Sequence, residues 1–337
     1  MIGVGLGYLA RELASRGMSI QCYEPFADLT LHLETAQLQS GDAGEVFSGL
    51  ELLADATSGV GTGKRTIIAP YVLALQSYLP QPLRELIAEK HVLTQSRKKY
   101  APIIKRNIDA NLLLWHKLPK IQLSAHQSPK LGVAVGAGPT LTACVETLCA
   151  ARSKLLLVAA SGAVPALMSA GIEPDWIVVL ESSDAAERDL DFVSPASRLV
   201  VFPWSHPAAL ECNRGLVFAA DEDDLHTHSG TSGIAAADLA LKLTNRELFL
   251  VGMELSDADG EYATGALRES ANVARSAPKF MVMRHAAEEW ALQNDMCSIM
   301  QVVPSGVAPV RGMEPVLAGD FSNALHSRIS ARIQASV

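Results

Sequence analysis

Between Lys130 and Asp184 the chain alternates short, almost purely apolar runs with turn and helix signals. LGVAV leads into a glycine-rich turn and a helix-period stretch, LLLVAA into a second, and WIVVL into a run of acidic and hydroxyl residues. Runs of this length that are apolar throughout, rather than alternating, mark strands buried on both faces. With helical segments between them they predict a βαβαβ unit in a parallel sheet. The rhythm continues downstream. Strands are predicted at Arg198 to Phe202, Gly215 to Ala220, Glu247 to Gly252 and Met300 to Val303, with helices at Ile234 to Lys242, Phe280 to Gln293 and Asn323 to Ala335.

The first residues carry a second, weaker pattern of the same kind. Gly3, Gly5 and Gly7 precede a helical stretch from Tyr8 to Arg16, with Gly17 placed as its C-cap, and Ser19 to Tyr23 reads as a strand ending in Glu24. An acid at that distance from a glycine turn is where dinucleotide folds hold a ribose. A helix over Asp28 to Gln39 and strands at Gly49 to Leu53 and Arg65 to Ala69 complete this part. GVGTGKRT, Gly59 to Thr66, has three residues before the Gly-Lys pair where a phosphate-binding P-loop needs four, and Arg65 stands in place of Ser or Thr, so it reads as a turn. Next, Lys90, Arg97, Lys98, Lys99, Lys105 and Arg106 interleave with Val92, Leu93, Tyr100, Ile103, Ile104 and Ile108 at helical spacing. This predicts a long amphipathic helix with a basic face. Asn107 and Asn111 share one side of it, and Leu112 to Trp115 are expected to dock it. The segmentation is 1–85, an N-terminal Rossmann-like domain; 86–129, a helical connector; 130–315, a central nucleotide-binding domain; and 316–337, a C-terminal helix.

Composition narrows the function. The chain has 337 residues, 49% hydrophobic and 19% charged, enough for a substantial core and more than one domain. A net charge of -8 excludes a nucleic-acid surface as its main purpose while leaving room for a nucleotide ligand. Five dispersed cysteines without a CxxC pair read as buried thiols in a reducing compartment. The longest uncharged run, Leu155 to Ile172, is interrupted by Ser161, Gly162, Pro165, Ser169 and Gly171 and predicts strand, turn and helix, with no membrane span. A cytoplasmic protein is expected.

In an open α/β sheet, ligands bind beyond the carboxyl ends of the strands, and here the polar residues gather at those ends. Gly136, Gly138, Pro139 and Thr140 open the first helix of the central unit, where backbone N–H groups and the helix dipole favour a phosphate. Thr231, Ser232 and Gly233 form a second helix start of the same chemistry. Ser161, Gly162 and Ser182 follow the second and third strands. Glu181, His206, Glu254 and Asp257 are the candidates to move a proton: a histidine titrates in the useful range, whereas a carboxylate needs burial to do so. Asp221 to Asp224 reads as a solvated acidic loop. His226 and His228, an H-x-H pair without neighbouring cysteines, are a weak metal signal, and no metal site is expected.

The blocks GVAVGAGPTL, LLLVAASGAVPALMSAGIEPDWIVVLES and TSGIAAADLALKLTNRELFLVGMELSDADG resemble, in this order, the bacterial motility accessory factor family. The central domain of that family is shared with archaeal 6-hydroxymethylpterin diphosphokinase-like proteins. KRNIDANLLLWHKLPKIQLSAHQSPK resembles the connector ahead of that domain, and the N-terminal glycine turn with Tyr23-Glu24-Pro25 resembles its Rossmann-like first domain. The resemblance implies a sialyltransferase-like central fold that transfers a nonulosonic acid from its CMP donor to Ser or Thr of flagellin or to a surface glycan. No cofactor is implied beyond the donor. Mg²⁺ enters only under the alternative, an ATP-dependent pterin diphosphokinase-like transferase; the third reading is a non-catalytic flagellin- or nucleotide-binding accessory protein. By position, Gly136, Gly138, Pro139 and Thr140 match the donor-nucleotide element, Ser161, Gly162, Pro174 and Asp175 the next two blocks, and Glu181 the acidic strand end. Thr140 replaces a commoner serine, Glu254 a commoner aspartate, and Tyr262 stands where a histidine is usual.

Overall fold

In a computed structural model of the chain, the described residues are 2–3, 8–18, 20, 22–25, 46–47, 67–79, 81–212, 215–227, 230–244, 246–255 and 278–335. They divide into two compact units, Met1–Lys98 and Lys99–Val337.

The first unit holds helix α1 (Tyr8–Ser15), strands β1 (Cys22–Tyr23) and β2 (Val46–Phe47), helix α2 (Pro70–Ala74) and the start of α3 (Gln81–Trp115). Gly17, at φ +78°, ends α1 by donating to Ala14 O, the left-handed cap expected of it. Ile2 bridges Tyr23 and Ile68 in parallel, and β1 pairs with β2, so the order across this sheet is β2, β1, Ile2, Ile68, with the first segment inside the sheet. Of the predicted strands at Ser19 to Tyr23 and Arg65 to Ala69, the described residues show the strand Cys22–Tyr23 and a bridge at Ile68. Asp28 to Gln39, Gly49 to Leu53 and Gly59 to Thr66 lie outside the described residues. Ile2, Tyr23, Val72, Leu79 and Ile87 form the core here, which is why the first turns of α3 belong to this unit.

The second unit is built on eight parallel strands: β3 (Leu131–Val135), β4 (Leu155–Ala160), β5 (Trp176–Val179), β6 (Arg198–Val201), β7 (Leu216–Ala219), β8 (Glu247–Val251), β9 (Ser298–Val303) and β10 (Glu314–Leu317). Their order is β10-β9-β8-β3-β4-β5-β6-β7. The chain therefore builds outward from β3 to β7 and returns to lay β8 against the other side of β3, which makes the β3/β8 boundary the topological switch point. Both faces are covered, as the uninterrupted apolar runs require. Leu131, Val133, Val135, Leu157, Ile177 and Val201 pack against α4 (Thr140–Ala151), α5 (Val164–Ser169), α6 (Ala185–Leu190), α7 (Pro207–Leu210) and α10 (Phe321–Ala335). Ala134, Val158, Trp176, Val200 and Leu250 face the opposite way, against α8 (Ser232–Leu243) and α9 (Pro278–Gln293).

Two readings of the sequence are adjusted. Strand β10 escaped notice because it is short, carries Pro315 and is mostly exposed, which an edge strand tolerates. The 315/316 segment boundary falls inside it, and α10 buries Phe321 and Leu325 against the sheet as part of that layer. In α3, Asn107, Asn111, Leu114, Trp115 and, just past its end, Leu118 recur at helical spacing and meet the core and loops of the second unit's sheet, whereas Leu112 and Leu113 are exposed. The period, not the run of leucines, decides which residues dock.

Candidate functional site

At the switch point the glycine turn and the loop after β8 interlock. Gly136 N–H donates to Val251 O and Gly138 N–H to Gly252 O, both at 2.8 Å, and Gly252 N–H donates back to the Thr140 hydroxyl at 3.0 Å. Glu254 closes the arrangement. Its Oε1 accepts from the Thr140 N–H at 2.6 Å, so a carboxylate of the protein itself occupies the positive end of α4. It is 1% exposed. A methyl at Gly138 would collide with Glu254 Oε2 and lie 2.7 Å from Gly252 O, while Gly252 has φ +69° and its α-carbon faces the Gly136 carbonyl. These glycines are needed because two backbone segments meet without room for a side chain. One turn into α4, the Cys144 thiol is pushed up to about 12 by burial and by the Glu254 charge, leaving it an inert core group.

Gln301, buried on β9, holds the same loop from the far side by donating to Met253 O at 2.8 Å and accepting from Val310 N–H at 2.7 Å. Met253 also separates Gly136 from the second helix start: a methyl on Gly136 would meet its Cγ and one on Gly233 its Sδ. Thr231 caps α8 by accepting from Gly233 N–H at 3.2 Å, and Ser232 is half-buried beside it. Both helix starts singled out in the sequence thus lie against residues 252–254; the polar groups of the first bond to residues 252 and 254, whereas the Thr231 hydroxyl caps its own helix.

The ends of β4, β5 and β6 are different. Ser161 is buried, and Gly162 bridges two neighbours: a methyl there would sit 3.8 Å from Ala137 Cβ and 3.9 Å from Asp189 Oδ2. The Ser161 hydroxyl bonds the half-buried Asp189 carboxyl, whose pKa burial pushes up to about 6, with Glu181 adding to the rise and Ser161 and Arg188 opposing it. Glu181 folds back so that Oε1 accepts from Ser183 N–H at 2.8 Å, and its carbonyl accepts from His206 N–H at 3.0 Å. His206 caps α7 through Nδ1, which accepts from Ala208 N–H, leaving Nε2 3.4 Å from Asp184 Oδ1 and 3.9 Å from Glu187 Oε1. Helix α3 fixes these loops. Asn107 Nδ2 donates to Ser182 O and Trp204 O, and Asn111 Nδ2 to Pro203 O and Ser205 O, at 2.8 to 3.1 Å. Arg106, exposed, lies 3.8 Å from Asp184.

The structure therefore brings Gly136, Gly138, Pro139, Thr140, Glu254, Thr231, Ser232 and Gly233 together around one loop, and Ser161, Gly162, Glu181, Ser182 and His206 along the adjoining edge. Asp257 and Tyr262 lie outside the described residues, as does His228. Pro174 and Asp175 stand at the opposite edge, where Asp175 accepts from Leu157 N–H and pairs with Arg152 at 3.1 Å. Glu24 in the first unit is buried and accepts from the Tyr71 hydroxyl at 2.5 Å. Asp221 to Asp224 form a turn in which Asp221 accepts the Asp223 and Asp224 N–H groups and pairs with Lys120, and among the described residues no group of three or more His, Cys, Asp or Glu side chains is placed to hold a metal ion. A hollow of about 460 Å³, lined by Asp295 to Ile299, Gly312 and Glu314, opens at the amino ends of β9 and β10, away from all of these. Sequence reasoning missed Asp189. In a short helix reading AAERDL it looks like one more solvated charge, and the only signal was its position eight residues beyond Glu181, the acidic end of β5.

A doubly wound parallel sheet whose polar residues cluster beyond its carboxyl edge at the switch point defines a Rossmann-like α/β fold. Residues 106–260 match the family model described as 6-hydroxymethylpterin diphosphokinase MptE-like. Among solved structures, the whole chain aligns with the Maf glycosyltransferase from Magnetospirillum magneticum AMB-1 at a TM-score of 0.55 and 17% identity. The aligned chain spans 61% of that protein's length. Both findings support the motility accessory factor resemblance read from the sequence blocks. No curated protein matches the chain. Among the described residues no helix is long and apolar enough to cross a membrane.

Proposed function

We propose that this protein is a glycosyltransferase that takes a nonulosonic acid from its CMP donor and transfers it to a Ser or Thr hydroxyl of flagellin or to a surface glycan, in the cytoplasm and with no cofactor beyond the donor. The observation that carries the reading is the shared fold: the chain aligns over its full length with a Maf glycosyltransferase, and its carboxyl-edge residues fall at the switch point where such sheets take ligands. The donor is assigned to the edge running from Ala137 and Gly162 to Ser182. There the backbone is close and hydroxyl groups are present, while Gly136, Gly138, Thr140 and Glu254 hold the wall beside it. A phosphate seated on the α4 N-terminus itself would have to displace Glu254 from Thr140 N–H. Thr231 to Gly233 supply a second helix start across Met253 for the donor's carboxylate or phosphate.

A second reading rests on the description of the matching family model, a pterin diphosphokinase-like protein. It would use ATP and Mg²⁺ in place of a CMP-sugar. Thermal shift separates the two. Under the first reading CMP and CDP raise the melting temperature by several degrees at saturating concentration, and ATP with Mg²⁺ does not. Stabilisation by ATP with Mg²⁺ and a pterin, without any response to cytidine nucleotides, would sink it.

A further inference from the structure

We propose that two copies of this chain pair antiparallel along the outer face of α3, across a two-fold axis near Leu113. The contact is independent of the transferase reading. On the inner side of these turns Asn107 and Asn111 are buried and bonded to the loops after β5 and β6. On the outer side Leu112 is 53% and Leu113 79% exposed, with Ile108, at 38%, one turn before Leu112. A single exposed apolar side chain would need no explanation. Three within two turns, on a helix anchored this closely on its other side, form an unpartnered face.

The charges beside this face say what covers it. Asp109 and Lys117 stand four residues on either side of Leu113, and both are exposed. Past the end of α3 the chain keeps to the helical path, since Lys117 N–H and Leu118 N–H both donate to Leu114 O. With two helices antiparallel about Leu113, the residue four before the axis meets the residue four after it on the other copy. Asp109 of each copy then faces Lys117 of the other, and two reciprocal ion pairs flank a contact between the leucines. An identical surface supplies this complement by symmetry alone. Asp109 also pairs with Lys105 at 2.7 Å, but both side chains are largely exposed, and such a pair is weak enough to exchange partners. The next cations outward, Arg106 and Lys120, sit beside carboxylates of their own copy, Asp184 at 3.8 Å and Asp221 at 3.1 Å, which offsets their mutual repulsion. From Asp109 to Lys117 a helix advances about 12 Å. A contact of that length falls below the roughly 1,200 Å² of a stable complex, so the dimer is a weak one, of micromolar affinity or weaker. Because the inner side of the same turns holds the loops after β5 and β6, pairing sets the carboxyl edges of the two copies on either side of the joined helices.

Sedimentation velocity of the whole chain, from about 1 to about 500 µM and at low and high salt, tests this. Wild type is expected to pass from monomer to dimer over that range, with weaker association at high salt. Leu113→Asp should weaken association by about 10-fold or more, and Asp109→Lys by about 10-fold. Combining Asp109→Lys with Lys117→Asp should restore it to within about threefold of wild type, because the reciprocal pairs re-form with their signs exchanged. All three positions are exposed, so the variants should melt with wild type, and the charge exchange carries the test if Leu113→Asp does not fold. Wild type that stays monomeric throughout overturns the proposal. So does a dimer that Leu113→Asp leaves intact, or a double exchange that associates no more strongly than Asp109→Lys alone.

Discussion

The two halves of the carboxyl edge use similar residues to opposite ends. At the β3/β8 switch point, glycines, a threonine and a carboxylate are packed so that backbone meets backbone and Glu254 plugs a helix terminus. At the ends of β4 to β6, a glycine, a serine and a carboxylate leave room between Ala137 and Asp189. Sequence motifs of the form glycine, hydroxyl, acid describe both. What distinguishes them is whether the acid returns from a remote strand to satisfy the turn or remains half-exposed beside it.

Breaking the closed half carries the largest expected effect. Gly138→Ala would drive a methyl into Glu254 and the Gly252 carbonyl and should cost about 3 kcal/mol or more, or prevent folding, as read by urea denaturation. Glu254→Ala leaves the Thr140 N–H and the α4 terminus without their carboxylate and should cost about 2 kcal/mol on the same measurement. The open half predicts a pH signature instead. Because the folded-state pKa of Asp189 is raised, from 3.8 to about 6, its stabilising effect is full below about pH 4 and is lost as pH rises through 6. Relative to Asp189→Asn, wild type should lose about 1 to 3 kcal/mol across that window, the lower end reflecting solvent access to a half-buried group, so the asparagine variant melts higher at pH 7. Smallest of all is Gly162→Ala, whose methyl meets only ordinary contacts and should change stability by less than about 0.5 kcal/mol. A Gly162→Ala protein as damaged as Gly138→Ala would erase the contrast between the halves.

Much of this was visible in the residues. The uninterrupted apolar runs required a parallel sheet covered on both faces, and the placement of Gly136, Glu181, His206 and Glu254 after successive strands put them on one edge. The pairing of Thr140 with Glu254 was not visible, because it joins positions 114 apart and depends on β8 returning beside β3. Without it, Gly138 reads as space for a phosphate instead of space for a carboxylate. Asp189 was hidden for a related reason: helical period locates a face, but only the turn at Ser161 to Ala163, supplied by another strand, buries it. Strand β10 was lost to its proline, and Leu112 and Leu113 drew attention that belonged to Asn107 and Asn111.

The segment from Asn107 to Ile121 sets where this molecule can be cut. Pro119 and Ile121 exchange backbone hydrogen bonds with Ala219, both at 2.9 Å, so the outer margin of β7 is sealed by residues that precede β3 in the chain. A fragment begun at Lys130, where the apolar rhythm starts, would expose that margin as a template for pairing with other chains. It would also strip the carbonyls of Ser182, Pro203, Trp204 and Ser205 of their amide donors. Such a fragment should precipitate, whereas one begun at Lys99 retains both the seal and the donors.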